Sequence, residues 1–470
     1  MDAKEISSFV DAAWEKSLLP EIERYIRIPA KSPMFDAAWE KNGHIEAAVK
    51  LLEAWALAEN VKGMKLEVVR LPGRTPLLFM DIPGDVDDTV MLYGHYDKQP
   101  EMVGWAEGLG PWTPVRQGDK LFGRGGADDG YSTFASLLAI KAVRQMGGKH
   151  ARCVVLIEGC EESGSFDLPH YVEHLKPRIG KPSLIICLDS GAGNYDQLWL
   201  TSSLRGLVGG TLTVEVLTEG IHSGDASGVV PSSFRIARSL LDRVEDSRDG
   251  RILVESFYGS IPEERRTQAE VSGRVLGESL FKRFPYAGST RAMSEDVTEL
   301  VLNRTWRPYL SVTGADGLPA IANAGNVLRP RTSLKLSLRL PPNVKSGPAA
   351  AELRRILEAS PPHGATVRFE AEEPADGWDA PPTSPWLAES LARASEAYFG
   401  REVCHMGEGG SIPFMGMLGR EFPEAQFVIT GVLGPQSNAH GPNEFLHVPT
   451  GKRITSCMAQ VLDDHARRAR

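Results

Sequence analysis

Two aspartates stand side by side, Asp128 and Asp129, at the end of the stretch Leu121-Phe122-Gly123-Arg124-Gly125-Gly126-Ala127-Asp128-Asp129-Gly130. Adjacent carboxylates repel and glycines destabilise regular elements, so a turn carrying both implies a use for them. A carboxylate can bridge two cations, one per oxygen, and a two-metal hydrolase needs such a bridge. An aspartate ahead of a helix also makes an N-cap, and this stretch taken alone is compatible with that simpler role. The other residues able to do chemistry are His95, Asp97, Glu161, Glu162, Asp189 and His440. Imidazole and carboxylate without thiolate form a donor set suited to catalytic zinc, with manganese or cobalt as alternatives. His95 and Asp97 are two apart on an extended segment, so their side chains point the same way. Asp97 can then hold the second ring nitrogen of His95 and fix its tautomer. Of Glu161 and Glu162, one can bind metal while its neighbour accepts a proton from metal-bound water, whose pKa falls to about 7 on coordination. Either pair by itself also fits a solvated loop.

The elements that must position these residues are legible as apolar runs of strand length. Thr89–Gly94 ends at His95, Arg152–Ile157 leads to Glu161 and Glu162, Ser183–Leu188 ends at Asp189, and Ala425–Gly431 leads to the loop holding His440. Continuous apolar runs separated by helices predict a parallel sheet buried on both faces. In such sheets, sites form at the carboxyl ends of the strands. Apolar spacing predicts helices over 8–28, 43–60, 131–146 and 386–399, and a strand pair at Lys65–Leu71 and Pro76–Ile82. The character changes after Arg205. Gly206–Leu217 and Arg331–Leu340 alternate apolar and polar residues, the pattern of a sheet with one solvated face. Helical patterns at Ser232–Glu245 and Ala349–Ala359 accompany them, and 258–310 reads as helices and loops. The proline-rich Pro374–Pro385 makes a return linker. The organisation expected is a mostly parallel α/β catalytic domain, 1–205 with 385–470, interrupted by an α+β domain at 206–384.

Composition narrows the partners. A chain of 470 residues exceeds one ordinary domain. The net charge of −9, with no basic run, argues against nucleic acid. No apolar run approaches the ~20 residues of a membrane span, and the N-terminus lacks a signal-peptide core. Five scattered cysteines read as buried free thiols in a reducing compartment, hence a cytoplasmic protein. No G-x-S-x-G elbow, HExxH or P-loop motif occurs.

Seven separated stretches occur in order: GHYDKQP (94–100), GRGGADDG (123–130), EGCEESGS (158–165), LDSG (188–191), HSG (222–224), EGGSIP (408–413) and NAHGPNE (438–444). Together they resemble the dinuclear-zinc exopeptidase family that includes the cytosolic non-specific dipeptidases, carnosine dipeptidases, glutamate carboxypeptidase, aminoacylases and succinyl-diaminopimelate desuccinylase. EGCEESGS and EGGSIP look closest to the dipeptidase branch. The resemblance implies two Zn2+ per chain, with Mn2+ or Co2+ possible. It implies that Asp128 bridges the metals, that His95 and Asp189 complete one site, and that Glu162 and His440 complete the other. Glu161 would be the general base, and Asp97 would orient His95. The inserted domain matches a lid and dimerisation domain whose His222 steadies the oxyanion, so a homodimer is expected. Asn326 and Arg339 resemble lid residues that hold the substrate's carboxylate or reacting carbonyl. A guanidinium can grip a carboxylate in bidentate fashion, although Arg339 also fits a solvated strand face. The turn Gly409-Gly410-Ser411 offers backbone N–H groups and a hydroxyl to an anion. The implied reaction is hydrolysis of a dipeptide or short peptide beside a free carboxylate by a two-zinc-activated hydroxide. The alternative is an amidase or N-deacylase acting on N-acyl amino acids at the same centre. Three departures concern specificity and leave the ligands intact: Gly130 where relatives carry lysine, Cys160 before the paired glutamates, and Gly441 where serine is common.

Overall fold

The computed structural model describes residues 1–410 and 413–468. It divides into two compact units, Met1–Thr201 with Ala380–Met406 and Met417–Arg470, and Ser202–Asp379 with Gly407–Gly416.

The first unit is built on a six-stranded sheet ordered Lys65–Val69, Leu77–Ile82, Ala151–Glu158, Val86–His95, Leu184–Cys187, Gln426–Ile429. The last four strands run parallel, and the first two join them antiparallel. The parallel strands are apolar through their central stretches, Val90–Tyr93, Cys153–Ile157 and Leu184–Cys187, because helices cover both of their faces. Val90, Leu92, Val155, Ile157, Ile186 and Val428 share one core with Trp14, Leu137 and Leu462 from the helices. Helix Tyr131–Gln145 is buried along nearly its whole length, and helix Val448–Arg467 packs on it. The register brings His95 opposite Glu158 and Tyr93 opposite Cys187. The carboxyl ends of three strands therefore lie in one row, as the apolar runs lead one to expect.

Two glycines permit the close approach this row needs. A Cβ on Gly94 would lie 2.2 Å from Ser132 Oγ and 2.8 Å from Asp129 Oδ2. One on Gly130 would lie 2.1 Å from Tyr25 Cε1. The departure at Gly130 thus has a packing reason: Tyr25 occupies the space a side chain would take.

The second unit carries an antiparallel four-stranded sheet ordered Tyr309–Asp316, Arg331–Leu340, Gly206–Glu215, Thr366–Ala371. Its inner face, with Val208, Leu212, Leu334, Leu336 and Leu338, packs on Ile236, Leu240, Leu353 and Leu357 of helices Ser233–Leu241 and Ser346–Glu358. Strands Tyr309–Asp316 and Thr366–Ala371 are additional to those read from alternation. Both are edge strands. Ser311–Asp316 is exposed on both faces, and Phe369 alone is buried in Thr366–Ala371, so neither carries a clear period of two. Among the described residues, no helix is long and apolar enough to cross a membrane.

Candidate metal centre

His95 is the last residue of its strand and is fully buried. Its Nε2 faces Asp128 Oδ1 at 3.3 Å and Asp189 Oδ2 at 3.6 Å. Its Nδ1 lies 3.1 Å from the Asp97 carbonyl and 3.4 Å from Asp97 Oδ1, the orientation expected of a ring held in one tautomer. Asp128 turns its other oxygen, Oδ2, to His440 Nε2 at 3.1 Å, and that nitrogen lies 3.3 Å from Glu162 Oε2. Two groups result, His95–Asp128–Asp189 and Asp128–Glu162–His440, each with ligand atoms within 4.8 Å of one another. The peptide between Asp128 and Asp129 is cis.

The donor set fits divalent cations. Donors bound at about 2.0–2.1 Å in tetrahedral geometry sit roughly 3.3 Å apart, close to the spacings above. The buried His95 Nε2 and Glu162 Oε1 lack a hydrogen-bond partner among the described residues, which is costly unless something else engages them. Charge points the same way, because more carboxyls than imidazoles converge. Burial and then neighbouring carboxylates push Glu161 and Glu162 well above the usual range. Asp129 rises well above it through burial and Asp189. Asp189 rises to about 7, mainly through burial. Burial would depress the His95 imidazole, yet the Asp128 and Asp97 carboxylates facing it lift it well above its usual value. Burial opposes ionisation of Asp128, but His440 and His95 hold it well below the carboxylate range. A pocket that forces protons onto its own carboxyls is short of positive charge.

Glu161 belongs to neither group. Its Oε2 lies 4.0 Å from His95 Nε2, and its side chain is 14% exposed, so it faces the centre without being consumed by it.

Three supports escaped the sequence reading. The Asp97 carboxylate accepts the N–H of Glu161 at 3.0 Å and of Glu162 at 2.9 Å, so it sets the turn presenting both glutamates as well as the ring of His95. Gln99 donates to Glu162 Oε2 at 2.6 Å. Asp129 Oδ2 accepts the His95 N–H at 3.3 Å. The spacing of Asp97 and Gln99 beyond His95, all on one side of an extended segment, was the available signal for the first two.

In the second unit, His222 is exposed at the start of a short helix, and its Nδ1 accepts the Gly224 N–H at 3.1 Å. Asn326 is exposed, and its carbonyl accepts the Ser223 N–H at 2.8 Å. Arg339 pairs with Leu207 across the sheet; burial lowers its pKa, and no carboxylate among the described residues offsets this. The Gly409 carbonyl accepts from Nε of the buried Arg205 at 3.2 Å. Gly410 follows on the same bend, and Ser411 lies outside the described residues.

Comparison with known proteins comes to the same place. The model of Peptidase family M20/M25/M40 matches residues 91–464. A cysteinylglycine-S-conjugate dipeptidase of Corynebacterium striatum is 26% identical over 380 residues, covering 80% of each chain. The human beta-Ala-His dipeptidase is 25% identical over 391 residues, covering 78% of this chain and 73% of its own. The structure of the Saccharomyces cerevisiae di-peptidase Dug1p superposes with a TM-score of 0.76 at 20% identity, covering 100% of this chain and 99% of that one.

Proposed function

The chain belongs to peptidase family M20/M25/M40, and from that membership we propose that it is a metal-dependent dipeptidase. The observation that carries this reading is the sharing of Asp128 between two imidazole–carboxylate groups, with a free glutamate beside them. His95, Asp128 and Asp189 hold one cation, and Asp128, Glu162 and His440 hold the other. We assign zinc, with manganese or cobalt as substitutes that the same oxygen and nitrogen donors accept. Bound there, the cations supply Lewis acidity, polarising the scissile carbonyl and easing deprotonation of the attacking water.

The chain's own residues do the rest. Glu161 accepts the proton of the attacking water at a carboxylate oxygen and returns it to the leaving amine. Asp97 fixes the ring of His95 through its carbonyl and the turn bearing Glu161 through its carboxylate, so base and ligands are aligned by one residue. His222 donates to the carbonyl oxygen as it becomes anionic. Arg339 and Asn326 hold the substrate's carboxylate or its reacting carbonyl, and the Gly409-Gly410-Ser411 turn offers N–H groups and a hydroxyl to an anion. These four assignments rest on the family resemblance, helped by the uncompensated guanidinium of Arg339.

We further propose a homodimer formed through the second unit. Its edge strand Tyr309–Asp316 is exposed from Ser311 onward, with Val312 on the strand and Leu318 and Ile321 just beyond it at 48%, 44% and 94% exposure. An unprotected edge with apolar residues is a ready pairing surface. The cysteines are all buried and unpaired, which suits a reducing cytoplasm.

The test joins metal content to turnover, for wild type and Glu161→Ala, on a dipeptide panel with N-acyl amino acids as the comparison set. Two ions per chain in both proteins, with dipeptide cleavage only in wild type, is the expected result. The loss on removing the base is about 10²–10⁴-fold. Cleavage of the N-acyl amino acids alone would replace the dipeptidase reading with a deacylase one.

A further inference from the structure

The second group contains the one metal-ligand candidate with little to hold it individually. His440 has a 56% exposed side chain and a backbone φ of +65°, on a loop where Gln436, Asn438 and Asn443 are also left-handed. Asp128 and Glu162 sit on tight turns. Sheet register, which fixes His95, fixes none of these three, and burial, which encloses Asp128 and Glu162, does not hold His440.

One side chain reaches the chain beside all of them. Arg124 is 1% exposed. Its Nη1 donates to Glu444 Oε2 at 2.6 Å, its Nη2 to the Gly441 carbonyl at 2.7 Å, and its Nε to the Pro100 carbonyl at 3.2 Å. Gly441 follows His440. Pro100 follows Gln99, which donates to Glu162 Oε2. Arg124 itself opens the turn that delivers Asp128. The partner Glu444, 320 positions away and fully buried, closes the ring. Its Oε1 accepts the Gly125 N–H at 3.0 Å, and its carbonyl accepts the Gly123 N–H at 3.0 Å. A buried ion pair is seldom more stabilising than apolar residues of the same volume, so stability alone does not account for it. What an apolar pair cannot do is join three loops in one register with directed bonds.

We propose that Arg124, clamped to Glu444, is a positioning residue that sets the cation affinity of the Asp128–Glu162–His440 group, chiefly through the loop carrying His440, the ligand that the His95–Asp128–Asp189 group does not share. This rests on the two-cation reading above. Arg124 touches neither substrate nor reacting atoms in this role. It acts through the placement of three loops.

The test is a graded withdrawal of metal from the full chain loaded with Co2+. A competing chelator is added in steps while visible absorption and ion stoichiometry are followed. Wild type is compared with Arg124→Lys, which keeps the charge but lacks the planar fork. It is also compared with Arg124→Met/Glu444→Gln, which removes the fork without stranding a carboxylate. In both variants one of the two release steps is expected to weaken by about 10–100-fold, the usual cost of losing a support behind a metal ligand. The other step stays within about threefold of wild type, and the absorption lost first is that of a single site. Arg124→Lys decides the matter if the double variant does not fold. Two steps that weaken together, or two that do not move, would overturn the clamp while leaving the metallopeptidase reading intact. A wild type that holds no cation would overturn both.

Discussion

His95 and His440 both turn Nε2 toward Asp128, yet the chain anchors them by different means. His95 ends a central strand, is completely buried, and has Asp97 on its second nitrogen. His440 rides on a loop, more than half exposed, and is located through the Arg124–Glu444 clamp behind it. One half of the centre is thus part of the fold, and the other is attached to it. The difference teaches that a symmetrical donor set need not have symmetrical energetics: a strand-borne ligand is tied to the stability of the whole sheet, whereas a loop-borne ligand depends on a few directed bonds.

Asp128→Ala removes the carboxylate common to both halves and should have the largest effect. Bound metal falls below one ion per chain, and turnover drops to background, measured by metal analysis and dipeptide hydrolysis on the same sample. Retention of one tight ion would show that one half stands without the shared oxygen, and would sharpen the contrast between them.

His222→Ala tests a contribution from outside both halves. Loss of an oxyanion donor costs about 2.7–4 kcal/mol, or about 10²–10³ in kcat. Both ions and the melting temperature should be unchanged. Full activity in this variant would remove the role assigned to the second unit's histidine.

The two imidazoles can then be compared directly by unfolding the metal-free proteins in urea. His95→Ala deletes a buried partner of Asp97 and Asp128 and is expected to cost about 3 kcal/mol. His440→Ala, on an exposed loop, should stay within about 0.5 kcal/mol of wild type. Equal losses would erase the distinction drawn here.

The smallest expected effect concerns a histidine belonging to neither half. His150 Nε2 accepts from Arg144 Nε at 2.8 Å, and its Nδ1 lies 2.6 Å from the Ala151 carbonyl, an arrangement only the neutral ring satisfies. Burial, the largest cause, lowers its pKa below the usual value. The sign follows. The unfolded chain takes up this proton near the ordinary value of about 6.5, before the folded chain does, so the stability contributed by the neutral ring is present above that pH and is lost as pH falls toward the folded value. The urea midpoint should therefore fall between pH 7.5 and about 5.5, and fall less in His150→Gln. An identical slope in both proteins would place the acid sensitivity elsewhere.

Much of the centre was legible before any fold was known, for a physical reason. The apolar runs ending at His95 and Asp189 and leading to Glu161 announce parallel strands, and such strands bring their carboxyl ends together. The glycines around Asp128 mark a tight turn by composition alone. The edge strands Tyr309–Asp316 and Thr366–Ala371 were not legible, because a strand buried at a single residue, Leu310 in one and Phe369 in the other, leaves no periodicity to read.

The sequence by itself determined which side chains could bind cations, which strands deliver them, and which reaction class they suit. Residue chemistry and local periodicity are properties of neighbours along the chain. Tertiary structure alone decided that Arg124 and Glu444 meet, that Asp97 holds the N–H groups of Glu161 and Glu162, and that one imidazole is buried while the other is exposed. Those pairings join residues 64, 65 and 320 positions apart, and no local pattern encodes a partner at that distance. They are settled only when burial forces each polar group to find the donor or acceptor that the folded chain has placed within reach.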